Sequence, residues 1–161
     1  MSDDLRLGDD GWLQRRRRVA ALSLSAIGSM GVVAAYQMGL IRRPPEPRVG
    51  PLDAAKVDAS GEAYQFLKTP DAALGLASYA ATLALAGMGD RHRARTAPWL
   101  PLALVAKVGL DAVSSAVLTA EQVSKHRRFC SWCLAASVAS AAMVPQVVPE
   151  AREAWRRLRS G

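Results

Sequence analysis

The chain is poor in the side chains that most often bind transition metals: it has two cysteines and two histidines among 161 residues. A structural zinc site usually needs four such ligands, so it would need all of them together. His92 follows the second apolar run of the sequence and His126 follows the third. A fold that crosses a membrane at each run separates the two histidines, so no metal site is expected.

Charge is absent from three long stretches, and a fourth carries only Lys107 and Asp111. The four stretches are residues 19–41, 72–88, 99–120 and 129–149. Each is close to the ~20 residues that a helix needs to cross a ~30 Å hydrocarbon layer. We therefore predict an all-α integral membrane protein, a bundle of four transmembrane helices.

The first apolar run has a second interpretation, because residues 15–18 are four arginines directly before it. A basic segment followed by an apolar run is also typical of a secretory signal peptide. The apolar core of such a peptide is about 7–15 residues long and ends at a small-residue cleavage site. This run has 23 residues without a clear cleavage site, so we interpret it as a retained helix.

The formal net charge of +7 raises the question of nucleic acid as a partner. The basic residues flank the apolar runs and no recognition motif accompanies them, so no nucleic-acid partner is expected. With the N-terminus inside, the inner segments hold 12 basic residues and the outer loops hold 8. This bias predicts cytoplasmic tails at residues 1–18 and 150–161, with the membrane domain, in contact with lipid, at residues 19–149.

The longest predicted outer loop, residues 42–70, begins with a proline-rich segment that excludes helix and favours an extended path. Residues 57–67 then have a spacing compatible with a short amphipathic helix on the periplasmic membrane surface. A plain tether between two helices fits the same residues equally well.

Cys130 and Cys133 form a Cys-Ser-Trp-Cys sequence at the start of the last apolar run. A pair with this spacing can close a disulfide, and the start of a helix favours the negatively charged thiolate. The predicted topology puts the pair at the outer face of the inner membrane, where disulfides persist in bacteria. Two inert core cysteines are the alternative; thiolate activation favours a redox pair.

Charged residues at two further sites invite a functional interpretation. Lys107 and Asp111 are four residues apart in the third run and can pair on one helix face. They could form a proton path or contact a polar ligand. The alternatives are an internal ion pair, or a Lys107 side chain that snorkels inward while Asp111 bonds to a serine or threonine of a neighbouring helix. The usual pairing of intramembrane charges favours these alternatives. Asp71 opens the second run, where an aspartate interacts favourably with the helix dipole.

Together these segments resemble the vitamin K epoxide reductase family, membrane thiol oxidoreductases built on a four-helix bundle around a quinone. Residues 129–134, Phe-Cys-Ser-Trp-Cys-Leu, are similar to the family's F-C-x-[YW]-C-L motif. Residues 70–79, Pro-Asp-Ala-Ala-Leu-Gly-Leu-Ala-Ser-Tyr, are similar to its P-x-x-x-L-G-x-x-x-Y motif. The resemblance covers approximately residues 19–148.

The resemblance implies roles for individual residues. Cys133 corresponds to the quinone-side thiol and Cys130 to the thiol that exchanges disulfides with a partner. Three residues are implied quinone contacts: Asp71 at the start of the second helix, Ser60 near the family's loop serine, and Ser137 one turn beyond Cys133. The implied electron acceptor is ubiquinone or menaquinone.

The chain departs from the family in its first outer loop. Family members normally have two more cysteines there, which relay electrons to the C-x-x-C pair; here residues 42–70 contain none, and Ala54 is near the expected place. A separate periplasmic thioredoxin-like protein is therefore the implied partner. A non-catalytic membrane subunit, or a maturation factor with a structural C-x-x-C, is the alternative.

Overall fold

The computed structural model of the chain describes residues 7–46, 50–58 and 71–160. This part is helical apart from its turns and one isolated parallel bridge between Leu52 and Phe129. Its helices are α1 (Gly11–Gln37), α2 (Ala54–Asp58), α3 (Asp71–Gly87), α4 (Arg93–Thr96), α5 (Trp99–Glu121), a π-helical turn (Gln122–His126) and α6 (Ser131–Ser160).

Helix α1 begins eight residues before the apolar run that predicted it. Asp10 precedes the helix and accepts a hydrogen bond from the Trp12 N–H at 3.0 Å, which is the usual way a helix start is capped. The four arginines therefore belong to the helix. It ends at Gln37 rather than at residue 41, because Gly39 has a φ of 74° and leaves the helical conformation.

Helix α6 continues to Ser160, well past the predicted end at residue 149, although Pro145 and Pro149 lie inside it. A proline has no N–H, so Pro149 leaves the Pro145 carbonyl without its helical donor. The Arg15 Nη1 of α1 donates to this carbonyl at 3.3 Å. A side chain from the neighbouring helix thus replaces the missing backbone hydrogen bond.

The long helices pack as a bundle in which α6 contacts both α1 and α5, and α1 also contacts α3. Small side chains allow the helices to approach closely, as is common between membrane helices. A Cβ atom at Gly75 of α3 would lie only 3.1 Å from the Met30 Sδ of α1. The buried core includes Ala26, Val108 and Met143.

Two arginines and a glutamate are buried together at one end of the bundle, which we call the arginine end. The Arg16 guanidinium donates to the carbonyls of Ala86, Met88, Gly89 and Asp90, at and just beyond the end of α3. Arg93 forms a bidentate pair with Glu150 of α6, with N–O distances of 2.8 and 2.7 Å. The sequence patterns did not predict this cluster.

Three helices, α1, α5 and α6, are long and apolar enough to cross a membrane. Helix α3 is apolar but has 17 residues, about 25 Å at 1.5 Å per residue. The prediction of an all-helical membrane protein is therefore confirmed, whereas the count of four crossing helices depends on α3. Most of the predicted loop helix lies outside the described residues; the described part of that loop contains the short helix α2.

Candidate functional site

The cysteine pair lies where the last helix begins. Cys130 directly precedes α6, and its Sγ accepts a hydrogen bond from the backbone N–H of Cys133 at 3.3 Å. A residue at this position normally caps the helix by accepting from the second or third N–H. The Cys130 sulfur thus lies at the positive end of the α6 dipole and contacts an N–H group of the first helical turn.

The two sulfurs differ in exposure. Cys130 is fully buried, with 0% of its surface exposed, whereas Cys133 is partly exposed and packs against the apolar core. The backbone N–H of Cys130 donates to the Oε1 of Gln122, a buried side chain of the π-helical turn, at 3.2 Å. The turn between α5 and α6 thus supports Cys130 directly.

Residues 42–46 and 50–58, which we call the cap segment, cover the start of α6. Phe129 pairs with this segment in both directions: its N–H donates to the Pro51 carbonyl at 3.0 Å, and its carbonyl accepts from the Asp53 N–H at 2.9 Å. The Tyr36 hydroxyl of α1 donates to the Ala55 carbonyl at 3.3 Å. The cap segment is therefore attached to both α1 and the chain leading into α6.

Glu46 joins the cap segment to the cysteine motif itself. Its Oε1 accepts the N–H of Ser131, between the two cysteines, at 3.1 Å, and its Oε2 accepts the N–H of Ala54, the first residue of α2, at 2.6 Å. The Trp132 indole N–H donates to the neighbouring Pro45 carbonyl at 3.1 Å. Sequence reasoning missed Glu46; its only signal is that it is the sole acidic residue between positions 42 and 52.

Ser137 lies one turn beyond Cys133, on the side of α6 that contacts α5. Its hydroxyl lies 3.0 Å from the Thr119 hydroxyl and 3.5 Å from the Ser115 carbonyl, both on α5. Residues four apart lie on the same face of a helix, so Ser137 and Cys133 share a face. The role of Ser137 as a quinone contact stays a prediction.

Asp71 is the first residue of α3 and is exposed. Its Oδ1 accepts a hydrogen bond from the Gln37 side-chain amide at 2.6 Å, and the Gln37 Oε1 accepts the Ala72 N–H at 3.4 Å. These contacts join the end of α1 to the start of α3. The predicted contact of Asp71 with a quinone stays a prediction, and Ser60 lies outside the described residues.

A second pair of hydroxyl groups lies deeper between α3 and α6. The Tyr79 hydroxyl is 2.9 Å from the Ser140 hydroxyl, and both residues are buried. Ser140 also donates to the Ala136 carbonyl at 3.0 Å. Because the Ser140 hydroxyl donates to this carbonyl, it is left to accept from the Tyr79 hydroxyl.

The predicted pairing of Lys107 and Asp111 is confirmed: the Lys107 Nζ lies 2.6 Å from each carboxylate oxygen. Ser78 and Thr82 of α3 complete the cluster, donating to the Asp111 carboxylate at 2.7 and 2.9 Å. A buried charge is stable only when it is paired and hydrogen-bonded. The contacts favour the interpretation of an internal ion pair that joins α5 to α3.

Among the described residues, no group of three or more histidine, cysteine, aspartate or glutamate side chains could hold a metal ion.

Comparison with known proteins adds one finding. The model of the Vitamin K epoxide reductase family matches residues 18–148, which is 131 of the 161 residues and includes both cysteines. No individual curated protein matches the chain. Since the family match covers far more than half of the sequence, the protein belongs to the vitamin K epoxide reductase family.

Proposed function

We propose that the protein is a quinone-dependent thiol oxidoreductase of the inner membrane, which oxidises a separate periplasmic thioredoxin-like protein through a Cys130–Cys133 disulfide. Membership of the family supports a membrane thiol oxidoreductase in general. The observation that carries the proposal is the contact between the Cys133 N–H and the Cys130 Sγ at the start of α6. Two cysteines in this arrangement can exchange between thiol and disulfide forms.

A thiolate of the partner attacks the Cys130 Sγ, the bond between Cys130 and Cys133 breaks, and Cys133 leaves as a thiolate. The second partner thiolate then attacks the partner sulfur of this mixed disulfide and releases Cys130. The partner loses two electrons and two protons in total, and the two cysteines of the chain gain them.

A quinone, ubiquinone or menaquinone, supplies an acceptor for two electrons and two protons. The residues around Cys133 fit such a molecule, because Cys133 packs against an apolar core and hydroxyl groups lie on the same side of α6. A hydroxyl can donate to a quinone carbonyl, while the apolar side chains exclude water from the ring. Ser137 has the strongest support as a contact; Asp71 and Ser60 are proposed from the family resemblance.

We further propose that all four long helices cross the membrane, with both termini in the cytoplasm and the cysteine pair at the periplasmic face. Two contacts support a crossing by α3. Asp71 at its start meets Gln37 at the end of α1, and the Ala86 carbonyl near its end accepts from Arg16 near the start of α1. Helix α3 thus runs antiparallel to α1 along the whole apolar part of α1.

A turnover assay tests the proposal. Cys133→Ser should abolish quinone reduction driven by dithiothreitol in membrane vesicles, because a single thiol cannot form the internal disulfide. Ser124→Ala, an exposed position on the π-helical turn, is the matched control and should retain wild-type turnover. Undiminished quinone reduction in Cys133→Ser would refute the assignment.

The complete burial of Cys130 favours a second candidate, a membrane subunit or maturation factor in which Cys130 only caps α6. The two functions differ in Cys133→Ser membranes. An exchanging Cys130 should attack added oxidised glutathione, release one reduced glutathione and keep the other as a mixed disulfide that is detectable by mass. Additional substitution of Cys130 by serine should remove this adduct. Absence of any mixed disulfide would favour the structural role.

A further inference from the structure

Glu46 joins the starts of α2 and α6 through its side chain, beside the backbone hydrogen bonds that Phe129 makes with Pro51 and Asp53. One carboxylate oxygen accepts the first N–H of α6 and the other accepts the first N–H of α2. Both N–H groups lie at the positive ends of helices and have no acceptor within their own helix. A carboxylate is the side chain that can satisfy both at once, since each of its oxygens carries negative charge.

The contacts of Glu46 bear on the accessibility of the Cys130 sulfur. Glu46 contacts the N–H of Ser131, the residue that follows Cys130, and the cap segment lies over this part of the chain. Cys130 has no exposed surface, whereas Cys133 is partly exposed. A sulfur can exchange with another protein only along an open line of attack. Ala54 and Val57 of the cap segment belong to the same buried cluster as Cys130, so movement of the segment would uncover this sulfur.

The other contacts of the cap segment with the start of α6 are of a different kind. Phe129 exchanges backbone hydrogen bonds with Pro51 and Asp53, and the Trp132 indole donates to the Pro45 carbonyl. These are hydrogen bonds between neutral groups, which are about half as strong as those to an ionised acceptor. Arg128, which lies just before the motif, also donates to the Gly50 carbonyl at 3.2 Å. Glu46 is the acidic side chain that links the segment to the motif itself.

We propose that Glu46 is a positioning residue that latches the cap segment over Cys130 and so sets the access of partners to that sulfur. In the closed state the carboxylate holds both helix starts and Cys130 is protected. In the open state the carboxylate releases the Ser131 N–H, and Cys130 becomes accessible from the aqueous side. The relevance of the latch to electron transfer rests on the proposed function, but the latch itself does not.

The test measures the reactivity of each cysteine separately, in the full chain in membrane vesicles, with N-ethylmaleimide as the probe. In a Cys133→Ser background, where Cys130 is the only cysteine, Glu46→Gln should raise the labelling rate about tenfold, because one charge-assisted bridge is lost. Asp53→Asn is the matched control: Asp53 lies in the same segment and caps α2 through the Lys56 N–H at 3.1 Å. Its rate should stay within about twofold of the parent.

A general loosening of the fold is distinguished by the second cysteine. In a Cys130→Ser background, Glu46→Gln should leave the labelling of Cys133 within about twofold, whereas a disturbed fold would raise it in parallel with that of Cys130. Glu46→Asp keeps the charge but is too short to span both N–H groups, so it should reproduce the selective rise at Cys130. Unchanged Cys130 labelling in Glu46→Gln, or an equal rise at Cys133, would overturn the latch. Neither result depends on quinone turnover, so failure of the latch and failure of the proposed reaction are separate outcomes.

Discussion

The two ends of this bundle are held by opposite chemistry. At the arginine end, buried cations bind the carbonyls that close α3, and a buried glutamate balances them. At the cysteine end, a single carboxylate on a loop binds the N–H groups that open α2 and α6. Each end thus matches the sign of the helix dipole. The arginine end is buried and held by several charged contacts, whereas at the cysteine end one carboxylate joins the two helix starts beside weaker neutral hydrogen bonds. The weaker end suits a site that opens.

The largest effect on stability is predicted for a substitution that breaks the arginine end. Glu150→Gln removes the only carboxylate that contacts Arg93 in the described cluster, and Arg93 is 0% exposed. Leaving a buried charge without its partner should lower the free energy of unfolding by about 3 kcal/mol. Denaturant unfolding of the protein in detergent micelles measures this change.

Glu153→Gln is the control for that experiment, because Glu153 lies on the same helix and pairs with exposed Arg156 and Arg157. Surface pairs of this kind contribute little, so the loss should be about 0.5 kcal/mol or less. Equal losses in the two variants would contradict the importance assigned to the buried cluster.

The middle of the bundle should respond less strongly. Asp111→Asn leaves Lys107 beside an amide, and the 20% exposed lysine side chain can move toward water. We expect a loss of about 2 kcal/mol in the free energy of unfolding, measured by the same method. Glu121→Gln, which alters an exposed pair with Lys125 on the same chain segment, should have almost no effect; a comparable loss there would argue against the internal ion pair.

Breaking the cysteine end should cost less stability and change reactivity more. Glu46→Gln should lower the free energy of unfolding by about 1 kcal/mol, since the amide still offers one acceptor oxygen. A loss as large as that of Glu150→Gln would show that the two ends are equally essential to the fold. That result would contradict the distinction between an enclosed end and an end that opens.

The smallest effect is expected at Tyr79. Tyr79→Phe removes a hydrogen bond to Ser140, which keeps the Ala136 carbonyl as acceptor. The free energy of unfolding should therefore fall by only about 0.5 kcal/mol. If the hydroxyl also contacts the quinone, the KM for the quinone should rise while stability stays nearly unchanged; an unchanged KM would assign Tyr79 to packing alone.

The helices could be predicted from the sequence because uncharged runs of membrane-spanning length leave few alternatives. Their ends could not be predicted as well. The arginines before residue 19 continue α1. Pro149 does not end α6, and Arg15 donates to the Pro145 carbonyl that Pro149 leaves without a helical donor. Such compensation joins residues 130 positions apart and leaves no local pattern.

The residues of the candidate site also differ in how well the sequence predicts them. The cysteine pair and the pairing of Lys107 with Asp111 follow from short spacings along one helix, so the sequence predicts both. Glu46 and the arginine cluster act through backbone groups of distant segments, and a backbone carbonyl or N–H has no signature in the sequence. These contacts become visible only when the folded chain brings the segments together.

The central claim is that Cys130 and Cys133 alternate between two thiols and one disulfide while a quinone accepts the electrons. It is tested most directly by counting thiols by mass after alkylation of dithiothreitol-reduced membranes, with and without added ubiquinone or menaquinone under anaerobic conditions. The account predicts that both alkyl groups are lost together when quinone is present and that Cys133→Ser keeps its single alkyl group. Retention of both alkyl groups in the wild-type protein with either quinone would contradict it.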